Sequence, residues 1–192
     1  MDLKPLFTEL ANIFTGPQSI EKHAQDALLS AEYEVGLPNQ YAPLAQPLIY
    51  ELMQEDALPI CSLIAEAPFN WEPPRTINDP LYVEHSVSKA HIELLGPEGL
   101  VKSDTIRLGL YGMKPNSEYG NRTHPAEEIY IMLAGQSFWK CDNVSYLPHL
   151  PGERSYHPSM MPHASMTKQR AFMSVYAWSG DISTQGYIYQ GK

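Results

Sequence analysis

The sequence predicts a mainly β protein, a small antiparallel β-barrel or sandwich that follows an N-terminal helical extension. After about residue 80, short apolar runs alternate with polar residues and end at Gly or Pro turn signals. The chain has 17 prolines among 192 residues, which favours short strands and many turns. Helical periodicity is confined to the first sixty-odd residues.

Residues 1–66 are predicted to form helices packed on the main domain. Apolar residues spaced by three and four predict the first helix, with a buried face of Leu3, Leu6, Phe7, Leu10, Ile13 and Phe14. Gly16-Pro17 ends it. Ser19 is expected to cap a second helix that runs to about residue 34, with Leu28 and Leu29 on its inner side. Two further helices are predicted around 44–52 and over 59–66.

A proline-rich connector, residues 67–80, leads to the predicted barrel, residues 81–192. Its main strands are predicted near 87–96, 104–113, 127–135, 154–167 and 171–182. Side chains alternate between the two faces of a strand, so Glu128 and Tyr130 should point one way and Ile129 and Ile131 the other. One face would then carry hydrocarbon, whereas the other places a carboxylate near a phenol.

Composition argues against several function classes. The net charge of -9 opposes binding to nucleic acid or to anionic membranes, and no basic run offsets it. No stretch has the apolar length of a membrane span, and the N-terminus does not resemble a signal peptide. Cys61 and Cys141 lack metal-type spacing, which favours a reduced, cytoplasmic protein. A monomer or a homodimer is expected.

The residues with the clearest chemical pattern are His124 and Glu128, because a buried imidazole and a buried carboxylate both need a partner. A catalytic metal ion takes about three His or carboxylate ligands and keeps a position open. His163 is the best third ligand, in a Met-Pro-His-Ala-Ser segment, and His157 is its competitor. The other histidines are expected to be solvated, on the surface or structural, namely His23, His85, His91 and His149.

The pattern H-x3-E-x-Y-x4-G that begins at His124, followed by Pro151-Gly152 and Pro162-His163, resembles the two motifs of the cupin superfamily. Within that superfamily the chain is most similar to the cupin-type dimethylsulfoniopropionate (DMSP) lyases of the DddQ kind. Tyr119, the segment E-E-I-Y-I-M-L-A-G and the closing Y-A-W-S-G-D-I carry this similarity, which covers roughly residues 70–190. The resemblance implies a small jelly-roll barrel with one divalent metal ion, either Zn, Fe, Mn, Co or Ni.

The resemblance also implies a reaction, the β-elimination of dimethyl sulfide from DMSP, a small zwitterionic sulfonium carboxylate, with acrylate as the second product. A metal ion would polarise the substrate carboxylate. Tyr130 would remove the adjacent proton, working best at mildly alkaline pH, and the resemblance also allows Tyr130 to join the metal ligands in the resting state. Tyr119 is the next candidate base. Aromatic faces suit a sulfonium, and the residues expected to supply them are Trp178, Tyr119, Tyr176 and Trp139.

One position departs from the cupin pattern, which has His-x-His where this chain has Arg122-x-His124. Arg stays protonated and cannot be a ligand, so Arg122 is expected either to bind a substrate carboxylate or to face solvent. Two other functions stay open, another metal-dependent cupin enzyme such as an oxygenase or isomerase, and a ligand-binding cupin without catalysis. Tyr130 argues against pure binding, which has no need of a base beside the metal ion.

Overall fold

A computed structural model describes residues 2–32 and 46–191. These residues form five helices and eleven strands. The helices are α1 (Lys4–Ile13), α2 (Ser19–Ser30), α3 (Pro47–Glu55), α4 (Ile60–Glu66) and α5 (Pro80–Ser86). The strands are β1 (Lys89–Gly96), β2 (Val101–Lys102), β3 (Ile106–Met113), β4 (Glu118–Thr123), β5 (Glu127–Gly135), β6 (Ser137–Cys141), β7 (Leu147–His149), β8 (Arg154–His157), β9 (His163–Met166), β10 (Phe172–Ser179) and β11 (Ile188–Gly191).

The strands form two sheets. One has the order β2-β1-β3-β10-β5-β8 and the other β11-β4-β9-β6-β7. Neighbouring strands are antiparallel except for the short β1–β2 pair. The predicted fold class, a mainly β barrel with N-terminal helices, is therefore confirmed.

The outer face of the six-stranded sheet packs against the helices. Ile129, Ile131 and Leu133 of β5 lie in one aliphatic core with Phe7 and Leu10 of α1. The neighbouring strand β3 contributes the residues of its predicted apolar face, Ile106, Leu108 and Leu110. Helix α2 contacts β10, β3 and β5 directly, which anchors the helical segment on the barrel.

The inner face of the same sheet is aromatic and polar. Tyr130 and Met132 of β5 point into a second buried cluster, as the alternation along this strand predicted. Most of the large residues of that cluster are aromatic, namely Tyr82, Tyr111, Tyr119, Trp139, Phe172, Tyr176, Trp178 and Tyr187. The barrel interior therefore differs chemically from the core that holds the helices.

Several helix predictions were wrong in detail. Helix α2 ends at Ser30, and its N-cap is Gln18 without a side-chain hydrogen bond, so Ser19 does not cap it. Leu29 is 60% exposed, whereas Leu28 is buried as predicted. Helix α3 extends to Glu55, beyond its predicted end near residue 52. The predictions for residues 33–45 lie outside the described part of the chain.

Helix α5 lies within the region predicted to hold strands and turns only. The Asp79 side chain accepts a hydrogen bond from the amide N–H of Tyr82 at 2.9 Å, and Pro80 occupies the first turn. This pair is a helix-start signal that the surrounding prolines obscured. The longest helix in the described ranges has 12 residues, and no helix there has the length and apolar character needed to cross a membrane.

Candidate metal centre and substrate cavity

Three strands bring together the residues of the predicted metal centre. His124 follows β4, Glu128 lies on β5 and His163 begins β9, which pairs with β4. One ligand atom from each of these side chains lies within 4.8 Å of the others, and all three side chains are buried. The sequence therefore identified a cluster that the fold brings to one point.

The hydrogen bonds of the two imidazoles leave one nitrogen of each ring free. His124 Nδ1 lies 3.0 Å from the carbonyl oxygen of Ala126, and His163 Nδ1 lies 2.8 Å from that of Met161. A carbonyl only accepts, so Nδ1 carries the proton in both rings and Nε2 presents a lone pair. Both Nε2 atoms are buried without a hydrogen-bond partner. This donor set fits a divalent metal ion of the zinc or iron type.

Glu128 is held from several sides. The indole N–H of Trp178 donates to Oε1 at 2.5 Å, and His157 Nδ1 lies 3.2 Å from Oε2. Oε2 also lies 3.0 Å from His163 Nε2 and 3.5 Å from His124 Nε2. Burial alone would raise the pKa of Glu128, but hydrogen bonds from His124, His157 and His163, made when the nitrogen facing the carboxylate carries a proton, hold it well below its usual range. The carboxylate is thus ionised and fixed in orientation.

His157, the competitor for the third ligand position, has both ring nitrogens engaged. Its Nε2 lies 2.9 Å from Ser155 Oγ, and its other nitrogen faces Glu128. Its ring stacks on His163 at 4.2 Å. Burial lowers the pKa of His157, which favours the neutral form despite the nearby carboxylate. This geometry suits a residue that orients Glu128.

Tyr130 lies beside this cluster and is 4% exposed. Burial raises its pKa well above the usual range, Glu128 raises it further, and Arg122 acts in the opposite direction. The phenol is therefore neutral in the field of the protein's own groups. The phenolate expected from the sequence requires an additional cation nearby.

A cavity of ≈ 710 Å³ lies against the cluster. Its walls include Glu128, Tyr130 and six further aromatic residues, Phe69, Tyr111, Tyr119, Tyr176, Trp178 and Tyr187. Such a cavity combines a few polar groups with aromatic faces, which is typical of small-molecule sites. Three of the four residues predicted to bind a sulfonium thus line one space.

Trp139, the fourth predicted sulfonium-binding residue, lies outside the cavity wall. It is 1% exposed and packs behind Tyr130, with the rings 4.4 Å apart. Its indole N–H donates to Ser137 Oγ at 3.0 Å. Its position suits a packing role, because its side chain stands behind the ring that faces the cavity.

Tyr187 was missed by the sequence analysis. Its hydroxyl lies 2.6 Å from that of Tyr119, and its ring stacks on His124 at 5.5 Å. The segment that carries it, just before β11, has no alternating apolar pattern long enough to predict a strand. The available signal was a pair of tyrosines close to the chain end, Tyr187 and Tyr189.

His91 also lies in the cavity wall, away from the surface position that the sequence allowed. Its Nε2 is 2.8 Å from the hydroxyl of Tyr176. Burial, with a contribution from Arg107, lowers its pKa to about 4, so the ring is neutral. His91 therefore fixes the orientation of a cavity tyrosine.

Arg122 does not face solvent, so one of its two expected roles is wrong. It is 1% exposed, and its guanidinium lies 3.8 Å from the ring centroid of Tyr119.

The remaining histidines lie outside the cluster. His23 Nδ1 is 2.9 Å from Ser179 Oγ, His85 Nδ1 is 2.6 Å from the hydroxyl of Tyr189, and His149 contacts its own turn.

Comparisons with known proteins point to one family. The family model described as dimethylsulfoniopropionate lyase matches residues 66–173. Dimethylsulfoniopropionate lyase DddQ of Ruegeria pomeroyi is 36% identical over 91 residues, and that alignment spans 47% of this chain and 45% of the relative, less than half of its length. The crystal structure of DMSP lyase DddQ from Ruegeria pomeroyi DSS-3 matches with a TM-score of 0.66 and 25% identity, over 97% of this chain and 96% of that one.

A chain from the crystal structures of the DMSP lyases RdDddP and RnDddQII matches with a TM-score of 0.67 and 20% identity, over 97% of each chain. This likeness supports the fold. The family model covers more than half of the sequence and includes Tyr119, His124, Glu128, Tyr130 and His163. The chain therefore belongs to the dimethylsulfoniopropionate lyase family.

Proposed function

We propose that the protein is a metal-dependent carbon–sulfur lyase that cleaves DMSP to dimethyl sulfide and acrylate. One observation carries the proposal. In a chain matched by the lyase family model, two imidazole lone pairs and an ionised carboxylate converge beside a tyrosine in an aromatic cavity. Each of these groups has a task in the elimination.

His124, Glu128 and His163 would hold one divalent metal ion. When bound, the ion would act as a Lewis acid on the substrate carboxylate and favour the phenolate of Tyr130. Tyr130 then takes the proton from the carbon next to the carboxylate. The electron pair of that C–H bond becomes the new double bond, and the bond between the β carbon and sulfur breaks. Dimethyl sulfide leaves as a neutral molecule, so its departure needs no general acid.

The cavity's aromatic residues would bind the sulfonium end of the substrate. A sulfonium offers no hydrogen-bond donor, and an aromatic face attracts such a cation by roughly 0.5–2 kcal/mol. Trp178, Tyr176 and Tyr187 line the cavity, and their aromatic rings are suited to bind the sulfonium. Tyr119 lines the same cavity, and its hydroxyl shares a hydrogen bond with that of Tyr187. Tyr119 could therefore position the substrate.

The decisive experiment is headspace detection of dimethyl sulfide from the purified protein with DMSP, before and after chelation. Acrylate is measured in parallel and should appear in equal amount. We expect chelation to abolish both products and Zn, Fe(II), Mn, Co or Ni, added singly, to restore them. A thermal unfolding scan of the chelated protein checks that it stays folded. Absence of sulfide from protein shown to contain metal would overturn the proposal.

A further inference from the structure

Tyr176 lies on the side of the cavity that leads away from the candidate metal centre. On β10 it stands opposite Tyr130 of β5, and the two ring centroids are 6.0 Å apart. The strand order β5-β10-β3-β1 continues away from Glu128, and the cavity wall follows it to Arg107 on β3 and to His91 on β1. A substrate whose carboxylate binds at the metal centre therefore has room to extend past Tyr130 towards Tyr176.

The hydroxyl of Tyr176 has one hydrogen bond within the described part of the chain, at 2.8 Å to His91 Nε2. The tyrosine side chain is buried, so its proton needs an acceptor. The imidazole is neutral, because burial and Arg107 lower the pKa of His91 to about 4, and a neutral imidazole has one nitrogen that accepts. With Nε2 as that acceptor, the phenol donates into the wall and a lone pair of its oxygen stays available to a bound molecule.

Backbone contacts hold His91 from both sides. Its N–H donates to the carbonyl oxygen of Glu72 at 2.8 Å, and the N–H of Glu72 donates to the carbonyl oxygen of His91 at 3.2 Å. On its other side His91 pairs with Tyr111 of β3. The imidazole is therefore fixed between the connector and the sheet, and it sets the direction of the O–H bond of Tyr176.

The two half-buried charges in this part of the wall are paired with each other. Arg107 Nη1 lies 2.8 Å from Glu93 Oε2. Burial raises the pKa of Tyr176, and the two charges act on it in opposite directions, since Glu93 raises it and Arg107 lowers it. Glu98 also lines the cavity, but it is exposed to solvent, which screens its charge. A cation at this end is therefore held mainly by neutral groups.

We propose that His91 is a positioning residue for the cationic end of the substrate, because it keeps the Tyr176 hydroxyl proton in the wall and the oxygen lone pair towards the cation. This inference rests on the proposed lyase function. A sulfonium has no hydrogen-bond donor, but its S-methyl hydrogens carry part of the charge and approach an oxygen in weak C–H···O contacts. A hydroxyl proton turned towards the sulfonium would repel it. His91 thus favours cations without donors over uncharged molecules of the same shape.

The first test compares two ligands that differ only in charge, the trimethylammonium analogue of DMSP and its uncharged tert-butyl isostere. Calorimetry gives the Kd of each for the metal-loaded protein. In His91→Phe, which lacks the acceptor, the preference for the charged ligand should fall about tenfold, while the Kd of the uncharged ligand stays within about twofold. His91→Gln keeps an acceptor and should retain most of the preference. Equal weakening of both ligands in His91→Phe would overturn the proposal.

A double-mutant cycle tests whether His91 acts through Tyr176. In a Tyr176→Phe background, His91→Phe should change the preference by less than about twofold. An equal change in both backgrounds would contradict the positioning role. His85→Phe is the matched control, because His85 Nδ1 lies 2.6 Å from the hydroxyl of Tyr189 and neither residue is part of the cavity wall. This variant should keep the ligand preference of the parent protein.

The parent protein offers a second measurement that needs no variant. Long-range proton–nitrogen NMR spectra show which imidazole nitrogen carries the proton, and we expect it on Nδ1 of His91. A proton on Nε2 would refute the proposal even if the His91 variants do not fold. Dimethyl sulfide release separates this inference from the proposed function. Release by the parent with an unchanged ligand preference in His91→Phe would refute the role of His91 alone, whereas no release would refute the lyase function on which it rests.

Discussion

The two faces of strand β5 show how closely stability and chemistry can be placed. Ile129, Ile131 and Leu133 point outward into the aliphatic core beneath the helices. Glu128 and Tyr130 point inward to the candidate metal centre and the cavity. One residue along the strand separates the two environments, because side chains alternate. The outer side chains need only the right size and apolar character to pack, whereas the inner side chains must hold particular atoms in fixed positions.

The two faces also differ in what burial does. On the outer face, each apolar side chain removed from water stabilises the fold by about 1.5–3 kcal/mol. On the inner face, burial opposes ionisation, as the raised pKa of Tyr130 shows. Partners must then offset that cost, as the imidazoles around Glu128 do. The helical core can therefore support an interior that is electrostatically unfavourable.

The sharpest test of this separation is Tyr130→Phe. We expect kcat to fall about 10³-fold or more, because the proposed base is lost, while metal content and Tm change little. Dimethyl sulfide release, metal analysis and thermal unfolding measure the three quantities. Tyr156→Phe is the matched control, since this phenol on β8 donates to Glu127 Oε2 at 2.8 Å outside the cavity. Equal loss of activity in both variants would contradict the assignment of Tyr130 as the base.

Ile131→Ala probes the adjacent residue on the opposite face. The large-to-small change in the aliphatic core should lower the free energy of unfolding by about 2–4 kcal/mol. Activity per folded, metal-loaded molecule should stay within about twofold of the parent. Urea unfolding and kinetics at a temperature where both proteins are folded provide the measurement. A large drop in kcat at full folding would show that the two faces are not independent.

Trp178→Phe tests a residue that serves two tasks. Phenylalanine keeps an aromatic face towards the cavity but removes the N–H that donates to Glu128 at 2.5 Å. Loss of a partner that orients a ligand should weaken metal affinity about 10–100-fold. Competition with a metal indicator gives this affinity. Unchanged metal affinity with a raised KM would instead assign Trp178 to the substrate alone.

A purely pH-dependent effect is expected at Lys89, a fully buried amine next to the ring of Tyr119. Burial, together with repulsion from Arg122, lowers its pKa from 10.5 to about 7. Between these values the unfolded chain holds a proton that the folded chain lacks. Its contribution to stability is therefore complete above pH 10.5 and is lost as pH falls towards 7, by about 1 kcal/mol per pH unit. Lys89→Met should flatten this part of the curve of unfolding free energy against pH.

The part of the site carried by periodic sequence was predictable. The alternation of β5 placed Glu128 and Tyr130 on one face, and the Pro-His pair at 162–163 pointed to His163. The burial of Arg122 was not predictable, because nothing local distinguishes an exposed arginine on an edge from one that crosses the barrel interior. His91 was underestimated for a related reason. The role of His91 depends on its contact with Tyr176, which lies 85 residues further along the sequence.

The two-sided contact of Trp178 has an optical consequence. Its indole stacks on His124 at 4.3 Å while its N–H meets the Glu128 carboxylate, and the same ring lines the cavity. Indole emission responds to nearby charge and to stacking. Of the three tryptophans in the chain, Trp178 is thus placed to report both metal loading and substrate entry. Fluorescence of the unlabelled protein should separate these two events in time.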